Sequence, residues 1–201
     1  MTTQTPSRTS RRIRLRPERG QTIIEFSLVL PLILVMVLGV VELSFVLLDQ
    51  HVVTKLTREG SNLISRNTAL GHAALAMKAM GTRPVDLDNG SRLIFSVVRN
   101  IATVGASNYN KAVLAQRYAY GTLSKSSTIQ TQGAASFGPG PEYAAANPDN
   151  NTSLRVTNLP ATLSLGSTLY ITELYTTHPT LTPLANFGIQ VPQTLYSIAY
   201  F

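Results

Sequence analysis

The sequence predicts an α+β protein: a long N-terminal helix that crosses a membrane and continues beyond it, followed by a β-rich antiparallel C-terminal domain. Three observations carry this. Residues 23–48 form an apolar run broken by two carboxylates, Glu25 and Glu42. A helical apolar period then continues to Ile64, and beyond Asp86 the chain changes to short segments rich in β-branched and aromatic residues.

The apolar run is 26 residues long, more than the roughly 18 that suffice to span a bilayer. Arg8, Arg11, Arg12, Arg14, Arg16 and Arg19 stand directly before it. They account for most of the formal charge of +7, leaving a nearly neutral body and no nucleic-acid reading. A basic flank of this kind stays in the cytoplasm, which puts the C-terminal three-quarters outside. A cleavable secretory signal needs an apolar stretch of about 7–15 residues followed by an A-x-A-like site. Here the run is longer and the first alanine is Ala69.

Val52, Val53, Leu56, Leu63 and Ile64 fall near one helical face, so one helix is expected from about residue 23 to about residue 64. A second is expected over 67–80, with Ala73, Ala74, Met77 and Met80, and Gly81-Thr82-Arg83-Pro84 should stop it. Strands are expected at 93–98, 117–123, 153–159, 168–176 and 194–201, with turns at Asn89-Gly90 and Gly166-Ser167. Residues 133–151, which hold Gly138-Pro139-Gly140-Pro141, read as a functional or disordered loop. Asn151 begins an N-x-S sequon. The organisation is thus a leader (1–20), a transmembrane and assembly helix (21–48), an extramembrane helical segment (49–80) and a β-rich domain (81–201). The segment 86–201 is expected to be soluble by itself.

Ionisable residues in a spanning helix are functional candidates by default. At about 1.5 Å per residue, Glu25 and Glu42 lie roughly 25 Å apart, which sets them near opposite membrane interfaces. Leu43, Phe45, Val46, Leu47 and Leu48 then form an exposed apolar collar past the second carboxylate. Pro31 removes a backbone donor within the span and favours a kink. Pro17 and Gly20 resist helix, so the chain around Gly20-Gln21 is expected to be extended.

Zero cysteines exclude thiolate metal sites and a disulfide framework. No P-loop, H-E-x-x-H or G-x-S-x-G pattern occurs. His51, His72 and His178 are far apart in sequence; His51 reads as solvated, and Asp86-x-Asp88 as an ordinary turn. No catalytic residue, cofactor or metal is expected, and the protein does not read as an enzyme.

Residues 20–26, Gly-Gln-Thr-Ile-Ile-Glu-Phe, with Pro31 following, combine a small residue, a carboxylate five positions later, an adjacent phenylalanine and a proline inside the apolar run. This arrangement resembles a type IV prepilin, and most of all the TadE-type pseudopilins of the tight-adherence (Tad) pilus machinery. Tyr170-Ile171-Thr172-Glu173-Leu174-Tyr175, followed by His178-Pro179 and Thr182-Pro183-Leu184, loosely resembles the late strand and proline-rich turn of the same proteins.

The resemblance implies cleavage between Gly20 and Gln21 by a membrane-embedded aspartyl prepilin peptidase. Glu25 would then neutralise the terminal amine of a neighbouring subunit, with Phe26 and Pro31 in the assembly segment and Glu42 as a second intramembrane carboxylate. It implies a pilin-like outer domain, a single pass through the bacterial inner membrane and a periplasmic C-terminus. Expected partners are membrane lipid, the peptidase, other pilins or pseudopilins and Tad inner-membrane platform proteins, with no nucleic acid; the expected role is pilus biogenesis and adhesion. The alternative is a single-span anchored sensor or binding protein, which would retain its leader.

Overall fold

The computed structural model describes residues 18–183, 186 and 188–201, with side chains from Thr22 onward. The arginines at 8–16 and Pro17 lie outside the described residues. The elements are α1 (Glu18–Ser65), α2 (Leu70–Met80), β1 (Ser91–Asn100), β2 (Ala112–Gly121), a 3-10 turn (Thr152–Leu154), β3 (Thr168–Thr177) and β4 (Thr194–Tyr200). The fold is α+β, as the sequence predicts.

Helix α1 begins earlier than expected and includes Gly20 and Gln21, so the expectation of an extended segment there is corrected. A single glycine disfavours helix by only about 1 kcal/mol, and a helix already propagating through the apolar run absorbs that. Pro31 is likewise accommodated inside α1. At the other end Asn67 adopts φ 62, a left-handed conformation that asparagine tolerates and that stops helices. The break places α2 three residues later than the sequence suggests.

The four strands form one antiparallel sheet in the order β2-β1-β3-β4. Central strands β1 and β3 are covered on both faces. On one face Leu93, Phe95, Val97 and Leu174 meet Val53, Leu56 and Ile64 of α1 and Leu70, Ala73, Ala74 and Met77 of α2. On the other, Val98, Leu114 and Ile171 pack with Ile129 and with side chains of residues 137–163. The result is three layers: helices, sheet, and an irregular layer.

Gly60 sets the distance between the first two layers. A Cβ there would meet Thr172 Cγ2 at 2.9 Å and Phe95 Cε1 at 3.1 Å. Both contacts are to the middle of the sheet, so the absent side chain is what lets α1 lie this close. Ser61 beside it donates to the Ala199 carbonyl at 3.1 Å, and Gln50 donates to the Tyr196 carbonyl at 3.1 Å, tying the helix along β4.

The helices therefore supply one wall of the main core. Cut away from α1 and α2, the sheet of 86–201 would expose Leu93, Phe95 and Leu174 to water.

Two local expectations also change. Residues 153–159 do not form a strand; the 3-10 turn takes their first part, and they meet β2 through the isolated bridge Val113↔Arg155 and the bond from Val156 N to Ala112 O at 2.9 Å. Segment 133–151 is ordered against the edge of the sheet rather than loose. The bulge between Val97 and Val98 leaves Ala115 O outside the ladder, where it accepts from Ala145 N at 2.8 Å. Tyr143 stacks on Tyr118 at 3.9 Å between ring centroids. Asn151 caps the 3-10 turn by accepting from Ser153 N at 3.1 Å. The Asp86 turn is the ordinary one expected, with Asp86 Oδ1 accepting from Asp88 N and Asn89 N.

Candidate functional site

Helix α1 has two environments along one continuous backbone. From Thr22 to Val41 most side chains are exposed around the circumference, including Phe26 at 60% and Leu28 at 77%. From Val53 onward Val53, Leu56, Thr57, Gly60, Ser61 and Ile64 are buried at intervals of three and four, one face laid on the sheet. The exposed half is apolar enough to cross a membrane, and none of its most apolar window is buried within the protein. Covering so much apolar surface requires a bilayer or other helices.

The predicted assembly residues lie in this exposed half. Glu25, Phe26 and Pro31 are exposed helical positions, and the Gly20–Gln21 peptide is in the first turn of α1. Ser27 and Ser44 turn their hydroxyls inward, donating to the carbonyls of Ile23 and Val40 at 2.8 and 2.7 Å. Each thereby avoids presenting an unsatisfied polar group to an apolar medium.

Glu42 behaves differently from Glu25. Its exposure is 0%, and the group that covers it is the connection after β3. Glu42 Oε2 accepts from Thr182 N at 2.8 Å, from Thr182 Oγ1 at 2.7 Å and from Leu181 N at 3.2 Å; Oε1 also lies 3.2 Å from Leu181 N. His178 stands beside it. Its Nδ1 is 2.7 Å from Asp49 Oδ2, and its Nε2 lies 3.5 Å from Glu42 Oε1, in ion-pair range but without a hydrogen bond. Residues 178–183 therefore form a strap, bound through Glu42 and Asp49 to the helix where it leaves the apolar run.

The expectation of Glu42 as a charge facing the membrane boundary is refined: the protein encloses it. Leu43, Phe45, Leu47 and Leu48 are the exposed collar that was expected, whereas Val46 is half-buried against the main core.

A second buried carboxylate, Glu173 on β3, faces the irregular layer. It accepts from Thr128 N and Oγ1 at 2.8 and 2.7 Å, from Ser127 Oγ, and from the hydroxyls of Tyr175 and Tyr196 at 3.3 Å. Burial, and then the Glu173 charge, hold the Tyr175 phenol above its ordinary range. These bonds tie residues 127–128 to the sheet. Among the described residues, no cluster of histidine, aspartate and glutamate could hold a metal ion.

Fold and site together define an α+β protein carried on one helix compatible with a single-pass membrane anchor. The model of the TadE-like protein family matches residues 20–62. That stretch is α1 from its first turn to the close approach at Gly60, and the match is consistent with a TadE-like, Tad pilus-associated protein. No curated protein matches the chain, and no solved structure matches it.

Sequence reasoning singled out Glu42 but not its partners. His178 follows Asp49 by 129 positions, and Leu181 follows Glu42 by 139. The available signal was the carboxylate itself: one enclosed by apolar neighbours demands donors, and His178-Pro179 with Thr182-Pro183 is the polar, proline-bounded stretch after a strand that can supply them.

Proposed function

We propose that this protein is a pseudopilin-like structural and assembly subunit of a Tad-type pilus. It is processed after Gly20 by a prepilin peptidase and takes part in pilus biogenesis and adhesion. The observation that carries this reading is the exposed apolar half of α1, with Glu25 in its first turns, inside the TadE-like stretch. Cleavage leaves Gln21 with an ammonium four residues before Glu25, on the same helix face. In an apolar setting an ionised carboxylate or ammonium is costly alone and tolerable when paired. Glu25 of one subunit therefore selects a neighbour by receiving its terminal amine.

The Arg-rich flank holds the N-terminus in the cytoplasm and the sheet domain in the periplasm. Partners are other pilins or pseudopilins and the inner-membrane platform. The work of the molecule is assembly, with no catalytic step and no cofactor.

The test is Glu25→Ala in a strain lacking the original copy. The variant loses a carboxylate from a membrane helix, so insertion and abundance stay normal, while pilus production drops sharply. Wild-type piliation by the stably expressed variant rejects the assembly role. Mass spectrometry of the purified wild-type chain checks processing independently: a mature N-terminus at Gln21 supports it, and a retained leader points to an anchored sensor.

A further inference from the structure

The strap fixes a height along α1. Its backbone donates to Glu42 through Leu181 N and Thr182 N, so these residues lie level with position 42. Below that level, residues 23–41 rise roughly 28 Å at about 1.5 Å per residue, close to the hydrocarbon thickness of about 30 Å. Above it, Leu43, Phe45, Leu47 and Leu48 remain exposed for more than another turn. Beside them Leu181 is 54% exposed, and Pro179 and Thr180 are exposed as well. A cleft of about 810 Å³ is lined by the collar residues Phe45 and Leu48 and the strap residues Pro179 and Leu181, together with Asp49, Arg83 and Asp86.

We infer that the strap and the α1 collar together form a membrane-surface contact, seated among the phospholipids of the leaflet on the sheet domain's side. Their apolar surface is continuous with the span, and the hydrogen bonds to Glu42 leave the strap no other height. Glu42 can sit at this boundary because strap donors replace its water. The strap thus fixes how far the sheet domain stands from the bilayer and limits its tilt. This inference rests on the membrane-span reading of α1.

The chain contains no cysteine, so single labels are unambiguous. Leu181→Cys and Thr180→Cys report the strap, Val37→Cys the span, and Val104→Cys, at a site 84% exposed, the far end of the domain. Each full-length variant is labelled with an environment-sensitive fluorophore in phosphatidylethanolamine–phosphatidylglycerol vesicles.

The expected result is loss of most strap-label emission to a quencher placed near the lipid headgroups, with little loss to aqueous iodide. Val37 responds to a quencher deep in the acyl chains, and Val104 to iodide alone. Strap labels that behave like Val104 overturn the contact while the span reading stands. Strap labels shielded from both quenchers overturn it in favour of a protein partner. A Val37 label untouched by lipid quenchers removes the span reading, and the inference with it.

Discussion

The two halves of α1 share a backbone but differ in composition and in what surrounds them: the first is apolar on every side, the second carries a single apolar stripe. Residues 22–41 are mostly exposed, whereas Val53, Leu56 and Ile64 are buried against the sheet. The difference teaches that apolarity alone does not define a core. A stripe at helical spacing is matched by a sheet of the same chain, while an all-round apolar surface requires a partner the chain does not supply. Glycine marks the change: a Cβ on Gly39 would meet nothing within 4 Å, and one on Gly60 would strike Thr172.

The largest effect that can break this comparison comes from paired truncations. Phe95→Ala removes a fully buried ring under α1 and is expected to cost about 3–5 kcal/mol. Leu34→Ala, in the exposed half, is expected to leave the urea midpoint of the detergent-solubilised protein unchanged. Equal losses at the two positions would mean that the lower half is packed in the free subunit.

The two carboxylates sharpen the contrast further. Glu42→Ala strands the amides of Leu181 and Thr182, each worth about 1–3 kcal/mol when left buried without an acceptor. The expected outcome is release of the strap, read as faster hydrogen exchange at those two amides with the β1–β3 ladder unaffected. Glu25→Ala should leave strap exchange unchanged. Strap amides that stay protected in Glu42→Ala would show that other contacts hold this segment.

The smallest effect is expected from the glycines. Gly60→Ala should destabilise by about 1–3 kcal/mol through overpacking, and adding Thr172→Ser, which removes the obstructing methyl, should recover much of it. Gly39→Ala should be neutral or slightly stabilising, since alanine favours helix by about 1 kcal/mol over glycine. A neutral Gly60→Ala would mean that the helix can lift off the sheet without loss.

Much of this architecture was legible in local pattern. The span, its continuation as a helix, the second helix and four strands were readable because periodicity and β-branched content are properties of neighbouring residues, although β2 (Ala112–Gly121) begins five residues before the expected 117–123. Segment 153–159 misled for the same reason: Arg155 and Val156 pair only through isolated bridges, so a strand-like composition there has no continuous ladder to join. At the candidate site, Glu25 and Pro31 stood out as interruptions of an apolar run, and Phe26 stood out only through the resemblance to TadE-type pseudopilins.

The sequence by itself determined that this protein has one membrane-capable helix with a TadE-like start, and that a β-rich domain follows it. Local spacing and the cost of carboxylates in apolar surroundings suffice for that. Only the tertiary structure decided that Glu42 is an internal acceptor for a strap more than a hundred residues away, that Gly60 sets the distance between helix and sheet, and that the helices complete the sheet's core. The physical reason is that hydrogen-bond satisfaction and close packing depend on which distant backbone arrives, and the folded chain alone fixes that arrival.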